Sequence, residues 1–273
     1  MTDWRLSGFA DEAYTALGEQ LIFLAGLGIE RIEFRHFERA GKRCSISEST
    51  STERRRLGRQ LRNADISCRC VATPVGKAPV DGDFSIQQKQ LANGLAAAME
   101  FDCPTVRIFG FQARSAGDHP ECVGNLSRLC EQALRDAPGV TLLLENERDV
   151  FGETPAQILA ALDLVGAENL GFVCDPANFA AVGVDPPAAV RQLCDHIAAV
   201  HVKDRGKDDD MVLPGQGQCN WPQILADLGG RHRAMDLALE PHLDVAERHF
   251  GNTTPSGFAA AKDALEAILA GID

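Results

Sequence analysis

No stretch of this 273-residue chain approaches 18 uninterrupted apolar residues, so no membrane-spanning helix is expected. The opening MTDWRLSGFADEAY has no basic segment followed by an apolar one, which argues against a secretory signal. Basic charge is in deficit, with 27 Lys and Arg against 39 Asp and Glu and a net charge of −12. A nucleic-acid surface needs a concentrated basic face, so that partner class is set aside, although a local basic pocket for a small anion is still open. The first expected strand is followed by GFADEA rather than a glycine-rich dinucleotide fingerprint. The nine cysteines are odd in number and scattered, and no second close pair accompanies Cys68 and Cys70. A disulfide framework or a cysteine zinc site is therefore not expected, and a reduced, cytoplasmic setting fits better.

Short β-type runs and helical stretches alternate along the chain. Strands are expected at 5–9, 31–35, 66–73, 105–111, 140–145, 170–174, 198–203 and 236–240. Between them, ALGEQLIFLAGLG and IQQKQLANGLAAAMEF show apolar spacing near 3.6 residues, and further helices are expected near 52–64, 119–136, 155–165, 187–195, 221–228 and 255–270. Thr154-Pro155 reads as a threonine cap with proline at the first helical position, and Thr254 or Ser256 could cap the last helix. Eight strands alternating with eight helices imply an α/β fold with a parallel sheet. Without the dinucleotide fingerprint, closure into one (β/α)8 TIM barrel spanning 1–273 is favoured.

Four residues stand out: Glu145 in LLLENE, Asp175 in LGFVCDP, His201 in IAAVHVKD and Glu240 in LALEPH. Each lies in or at the end of an apolar run, where a charge or imidazole is costly unless something nearby satisfies it. They recur at steps of 30, 26 and 39 residues, close to one strand-plus-helix unit, so a barrel can gather them at one end. Three carboxylates and one imidazole, with no thiolate, suit a divalent cation: Mn2+ foremost, then Mg2+ or Co2+, with Zn2+ also admissible. The structural alternative is four unrelated strand-end residues satisfied by backbone amides. A cation so held can grip adjacent oxygens of a sugar-like molecule and acidify a C–H beside a carbonyl. Glu145 and Glu240 are the natural pair to move that proton as base and acid.

Taken in order, GFADE (8–12), IEFR (32–35), PVGK (74–77), VRIF (106–109), LENERDVFGETP (144–155), DPANF (175–179), HVKD (201–204), GQG (215–217) with Trp221, and EPH (240–242) resemble the xylose isomerase-like barrels of the sugar phosphate isomerase/epimerase group. That group includes ketose 3-epimerases, hydroxypyruvate isomerase and inosose dehydratase. The resemblance implies metal ligation by Glu145, Asp175, His201 and Glu240 and proton exchange by the two glutamates. Asn178 stands where ketose 3-epimerases have a substrate-binding histidine, Leu144 where a histidine often precedes the glutamate, and Gln218-Cys219 where an acidic residue is common.

Further candidates for substrate binding are Asn178, Lys203, Arg35, Arg107, Glu147 and His242. Lys203 shares a strand face with His201 and could hold a substrate oxygen or carboxylate. Arg35 and Arg107 could orient anionic or hydroxyl groups, or merely pair with Glu33 or another neighbour. Glu147 would share the face of Glu145, and His242 follows Glu240 by two. The acidic triplet 208–210 reads as a solvated loop. The expected reaction is metal-dependent isomerisation or epimerisation of a small sugar-like molecule through an enediolate; a dehydratase of the inosose type is the alternative. An abasic-site endonuclease would need more histidines than the seven present and a basic groove. Assembly into a dimer or tetramer is left open.

Overall fold

The computed structural model describes residues 2–243 and 253–272. Eight parallel strands close into a barrel: β1 Asp3–Gly8, β2 Arg31–Phe34, β3 Ser67–Ala72, β4 Thr105–Ile108, β5 Thr141–Glu145, β6 Leu170–Cys174, β7 Ile197–Val202 and β8 Ala234–Leu239. β1 seals against β8 in a continuous register from Asp3 opposite Ala234 to Gly8 opposite Leu239. Every expected strand is found to within three residues, and the chain forms the expected (β/α)8 barrel.

The helices are α1 Leu17–Gly26, α2 Ser51–Asn63, α3 Phe84–Glu100, α4 His119–Asp136, α5 Pro155–Val165, α6 Pro176–Ala181, α7 Pro186–Leu193, α8 Trp221–Gly229 and α9 Pro255–Ile272. Their starts follow capping chemistry. Thr50 and Glu53 form a reciprocal capping box on α2, and Thr154 accepts from the Gln157 amide ahead of Pro155. On α9 Thr254 takes the capping role, accepting from the Gly257 amide at 3.1 Å.

Alternation along the strands decides which side chains reach the site. Leu142 and Leu144 of β5, Val200 and Val202 of β7, and Leu237 and Leu239 of β8 join the large core under the helices. Leu143, Val173 and Ala199 form a separate cluster, as do Phe9, Ala72 and Ala238. These are the residues of opposite parity, which face the barrel interior. Glu145, Asp175, His201, Lys203 and Glu240 share that parity, so each points inward at the carboxyl end of its strand.

Three elements were not expected from the sequence. A two-stranded hairpin, His36–Arg39 with Lys42–Ser45, follows β2. A second, Asp204–Arg205 with Met211–Val212, follows β7, and the short helix α6 starts directly after Asp175.

Candidate metal centre

Glu145, Asp175, His201 and Glu240 converge at the barrel mouth, all buried, with one ligand-type atom from each lying within 4.8 Å of the others. His201 Nδ1 is 3.0 Å from Glu145 Oε1 and 3.5 Å from Glu240 Oε2. The Phe9 ring meets the His201 ring edge to face, with centroids 5.1 Å apart. Asp175 caps α6: its Oδ1 accepts from the Asn178 amide at 3.0 Å. Asn146 clamps the same residue, accepting from the Asp175 amide at 2.7 Å and donating to its carbonyl at 2.8 Å. Only Asp175 Oδ2 is left to face the cluster. It makes no hydrogen bond, although the misaligned ammonium of Lys203 lies 2.7 Å away.

Three cations hold these carboxylates. Lys203 sits on Asp175 and lies 3.9 Å from Glu240 Oε2. Arg35 grips Glu240 Oε1 at 2.6 Å and also pairs with Asp11. Arg107 lies 3.3 Å from Glu145 Oε2. Burial works against charge on Glu145, yet His201 and Arg107 hold its carboxyl down at about 2. For Glu240 the same burial penalty is outweighed by Lys203 and His242, and its carboxyl falls well below the usual range. Burial wins at Asp175 and pushes it up to about 6 in spite of Lys203. On Lys203 itself the penalty is overcome by Asp175 and Glu240, so the ammonium is held more firmly than usual.

The donor set fits a divalent ion. Three carboxylates crowd one imidazole without a thiolate, and an inward carboxylate oxygen lacks a hydrogen bond; hard-to-borderline cations take such oxygen and nitrogen sets. Glu145 Oε1, Asp175 Oδ2, His201 Nδ1 and Glu240 Oε2 are the atoms that would hold it. Lys203 occupies the same oxygen the ion would need.

The second-tier residues divide. Lys203, Arg35, Arg107, Glu147 and His242 line one cavity of about 430 Å³ together with Glu145 and Glu240. Arg35 pairs with Asp11 and Glu240, and Arg107 with Glu145, so neither takes Glu33 as its partner. Glu147 lies beyond the end of β5 and meets Lys77 at 2.6 Å, rather than standing behind Glu145. Asn178 does not line the cavity: its side-chain amide donates to the Asn146 carbonyl at 2.8 Å, because the first turn of α6 directs it back onto the Asn146 clamp. The 208–210 triplet caps the second hairpin, where Asp209 pairs with Arg205.

Several site residues carried no assigned role in the sequence. Asp11 is buried and takes ion pairs from Arg35, His36 and Arg43. Glu12 accepts from Thr253 and from the His242 amide, and His242 Nε2 lies between Glu12 Oε1 at 3.2 Å and Glu240 Oε1 at 3.3 Å. Burial raises the Glu12 carboxyl to about 7. The clearest missed signal was Ala40-Gly41, whose positive φ angles of 50° and 74° make the two-residue turn of the first hairpin.

The inward-facing acidic and imidazole cluster stands at the carboxyl ends of a closed parallel barrel, the face on which such barrels carry their active sites. A family model described as xylose isomerase-like TIM barrel matches residues 22–240, and the chain belongs to that family. Solved structures with the same fold include the IOLI protein with a bound zinc atom, at TM-score 0.78 and 16% identity, covering 98% of this chain and 99% of that one. The probable 3-DHS dehydratase AsbF of Bacillus anthracis aligns at 0.75 and 17%, covering 97% and 99%. An L-ribulose 3-epimerase aligns at 0.71 and 18%, covering 99% and 97%. No curated protein matches the chain.

Proposed function

We propose that this chain is a divalent-metal-dependent isomerase or epimerase of a small polyhydroxy carbonyl compound, with Glu145 and Glu240 as the proton-moving residues. The observation that carries this reading is that two buried, ionised carboxylates, from strands that are not neighbours in the barrel, meet at the same ring nitrogen of His201. A divalent ion held by Glu145, Asp175, His201 and Glu240, with Mn2+ the first choice, would polarise the substrate carbonyl and acidify the adjacent C–H.

One glutamate takes that proton, and the substrate becomes an enediolate. Return of the proton to the neighbouring carbon gives isomerisation; delivery to the opposite face gives epimerisation. Behind Glu240, His242 and Glu12 provide a group pair that can hold or return a proton. Lys203 and Arg35, which both line the cavity, orient substrate oxygens.

A second reading keeps the first step and ends in loss of a β-hydroxyl, with His242 as the acid beside Glu240. The distance of 3.3 Å between them supports this reading. Incubation with ketoses and aldoses in deuterated water and Mn2+ tests both. Deuterium at the carbon beside the carbonyl supports the proposal, and a new ultraviolet-absorbing enone selects the dehydratase form. Normal turnover by Glu240→Gln would overturn the two-glutamate mechanism.

A further inference from the structure

The four donors of the candidate metal centre stand at the ends of β5 to β8, and the cavity wall after β2 to β4 is rich in cations. Arg35 follows β2, Lys77 follows β3, Arg107 lies on β4, and the first hairpin adds His36 and Arg43. Most of these groups are engaged elsewhere: Arg35 and Arg43 with Asp11, Lys77 with Glu147. Arg107 differs. Its side chain is 6% exposed, its Nε is fully buried without a hydrogen bond, and the guanidinium donates to no other described residue. Its one ion pair, 3.3 Å to Glu145 Oε2, is misaligned for a hydrogen bond.

A guanidinium carries five N–H donors in a planar fork, and burying even the Nε–H of Arg107 without an acceptor is costly. The fold nevertheless holds this one in place. Arg107 packs over the Phe109 ring, 4.3 Å from its centroid, and Lys77 Nζ is also 4.3 Å from that centroid. The ring is itself pinned by the loop after β3, through Phe109 N to the Val75 carbonyl at 2.8 Å and Phe111 N to the Gly76 carbonyl at 2.9 Å. Gly76 is required there: at φ +87° an added Cβ would lie 2.0 Å from the Phe109 carbonyl oxygen. Two cations are thus fixed on one aromatic ring at the side of the cavity formed by β3 and β4.

We propose that the substrate carries a carboxylate, received by the Arg107 fork with Lys77 beside it, while its carbonyl end reaches Glu145 and Glu240. The inference rests on the isomerase reading above and deepens it to a small hydroxy- or oxo-acid. A carboxylate suits the site better than a phosphate because the neighbouring amides are already engaged. Gly76 N donates to Gln87 and Lys77 N to the Pro74 carbonyl, so no backbone nest is offered and the side chains act alone. A planar fork matches a planar carboxylate in a two-point contact. A cavity of about 430 Å³ accepts a six-carbon acid.

The test is calorimetric titration of the protein, with and without saturating Mn2+, using gluconate, its uncharged counterpart glucitol, and glucitol 6-phosphate. Gluconate is expected to bind about tenfold more tightly than glucitol, the scale of one charge-assisted two-point contact. Arg107→Gln should erase that preference and Lys77→Gln should reduce it about threefold. If Arg107→Gln does not fold, Arg107→Lys keeps the charge beside Glu145 but not the fork, and should still lose most of the preference. Equal binding of gluconate and glucitol overturns the proposal, as does a preference that survives Arg107 replacement, or tighter binding of glucitol 6-phosphate than of gluconate. A preference that persists without Mn2+, in a protein that exchanges no deuterium into any ketose or aldose, would fell the isomerase reading and leave this one standing.

Discussion

The two halves of the barrel mouth solve the problem of buried charge in different ways. On β5 to β8 each polar group is the inward residue at the end of its own strand, and the four potential ligand atoms lie within 4.8 Å of one another. On β2 to β4 the cations come from strand ends, a loop and a hairpin, and are held by Asp11, Glu147 and Phe109. The acidic half is therefore crowded, with a donor set that suits a small cation. The cationic half is larger in reach and is set by what packs behind it, which suits reading part of a substrate.

Replacement in the acidic half should have the largest effect. Glu240→Gln is expected to lower turnover about a thousandfold, within the usual range for a proton-transferring residue, with metal binding weakened but detectable. Steady-state rates alongside metal analysis check it. Comparable loss on replacing Arg107 would erase the division between the halves.

Asp11→Asn comes next, because it strikes the residue that holds the cationic half together. It would remove the buried charge that Arg35, His36 and Arg43 share, and a stability loss of about 3 kcal/mol is expected in urea unfolding. An unchanged midpoint would show that the hairpin does not depend on this carboxylate.

Lys203→Met addresses the cation that the acidic half itself contains. Lys203 sits on the one Asp175 oxygen that is free for a metal, so its removal should tighten Mn2+ binding about tenfold while turnover falls. Weaker Mn2+ binding in the variant would mean that Lys203 supports the metal site rather than competing for it. The smallest effect belongs to the rim: Lys77→Gln breaks a partly exposed pair with Glu147 and should change stability by less than about 0.5 kcal/mol. A larger change would place Lys77 in the framework rather than at the cavity edge.

The same contrast explains what could be read from the sequence. Glu145, Asp175, His201 and Glu240 were legible because strand alternation alone aims them inward, and the eight strands carry plain apolar runs. The cationic half was only partly legible. Arg35 and Arg107 were visible as charges near strand ends, but their partners depend on contacts between distant segments, such as Asp11 with the hairpin. The hairpin itself was hidden, since HFER and KRCS alternate over a surface that is mostly polar, and only the Ala40-Gly41 turn marks it. Asn178 misled for a local reason: three residues after Asp175 it falls in the first turn of α6, where capping turns its side chain toward Asn146.

The proposed division puts a metal on one half of the mouth and none on the other. Its most direct test is Mn2+ titration followed by electron paramagnetic resonance for the wild type, Asp175→Asn and Arg107→Gln. One tightly bound ion per wild-type chain is expected, none in Asp175→Asn, and an affinity in Arg107→Gln equal to or higher than wild type. Loss of the ion in Arg107→Gln to the same extent as in Asp175→Asn, or no bound ion in the wild type, would contradict it.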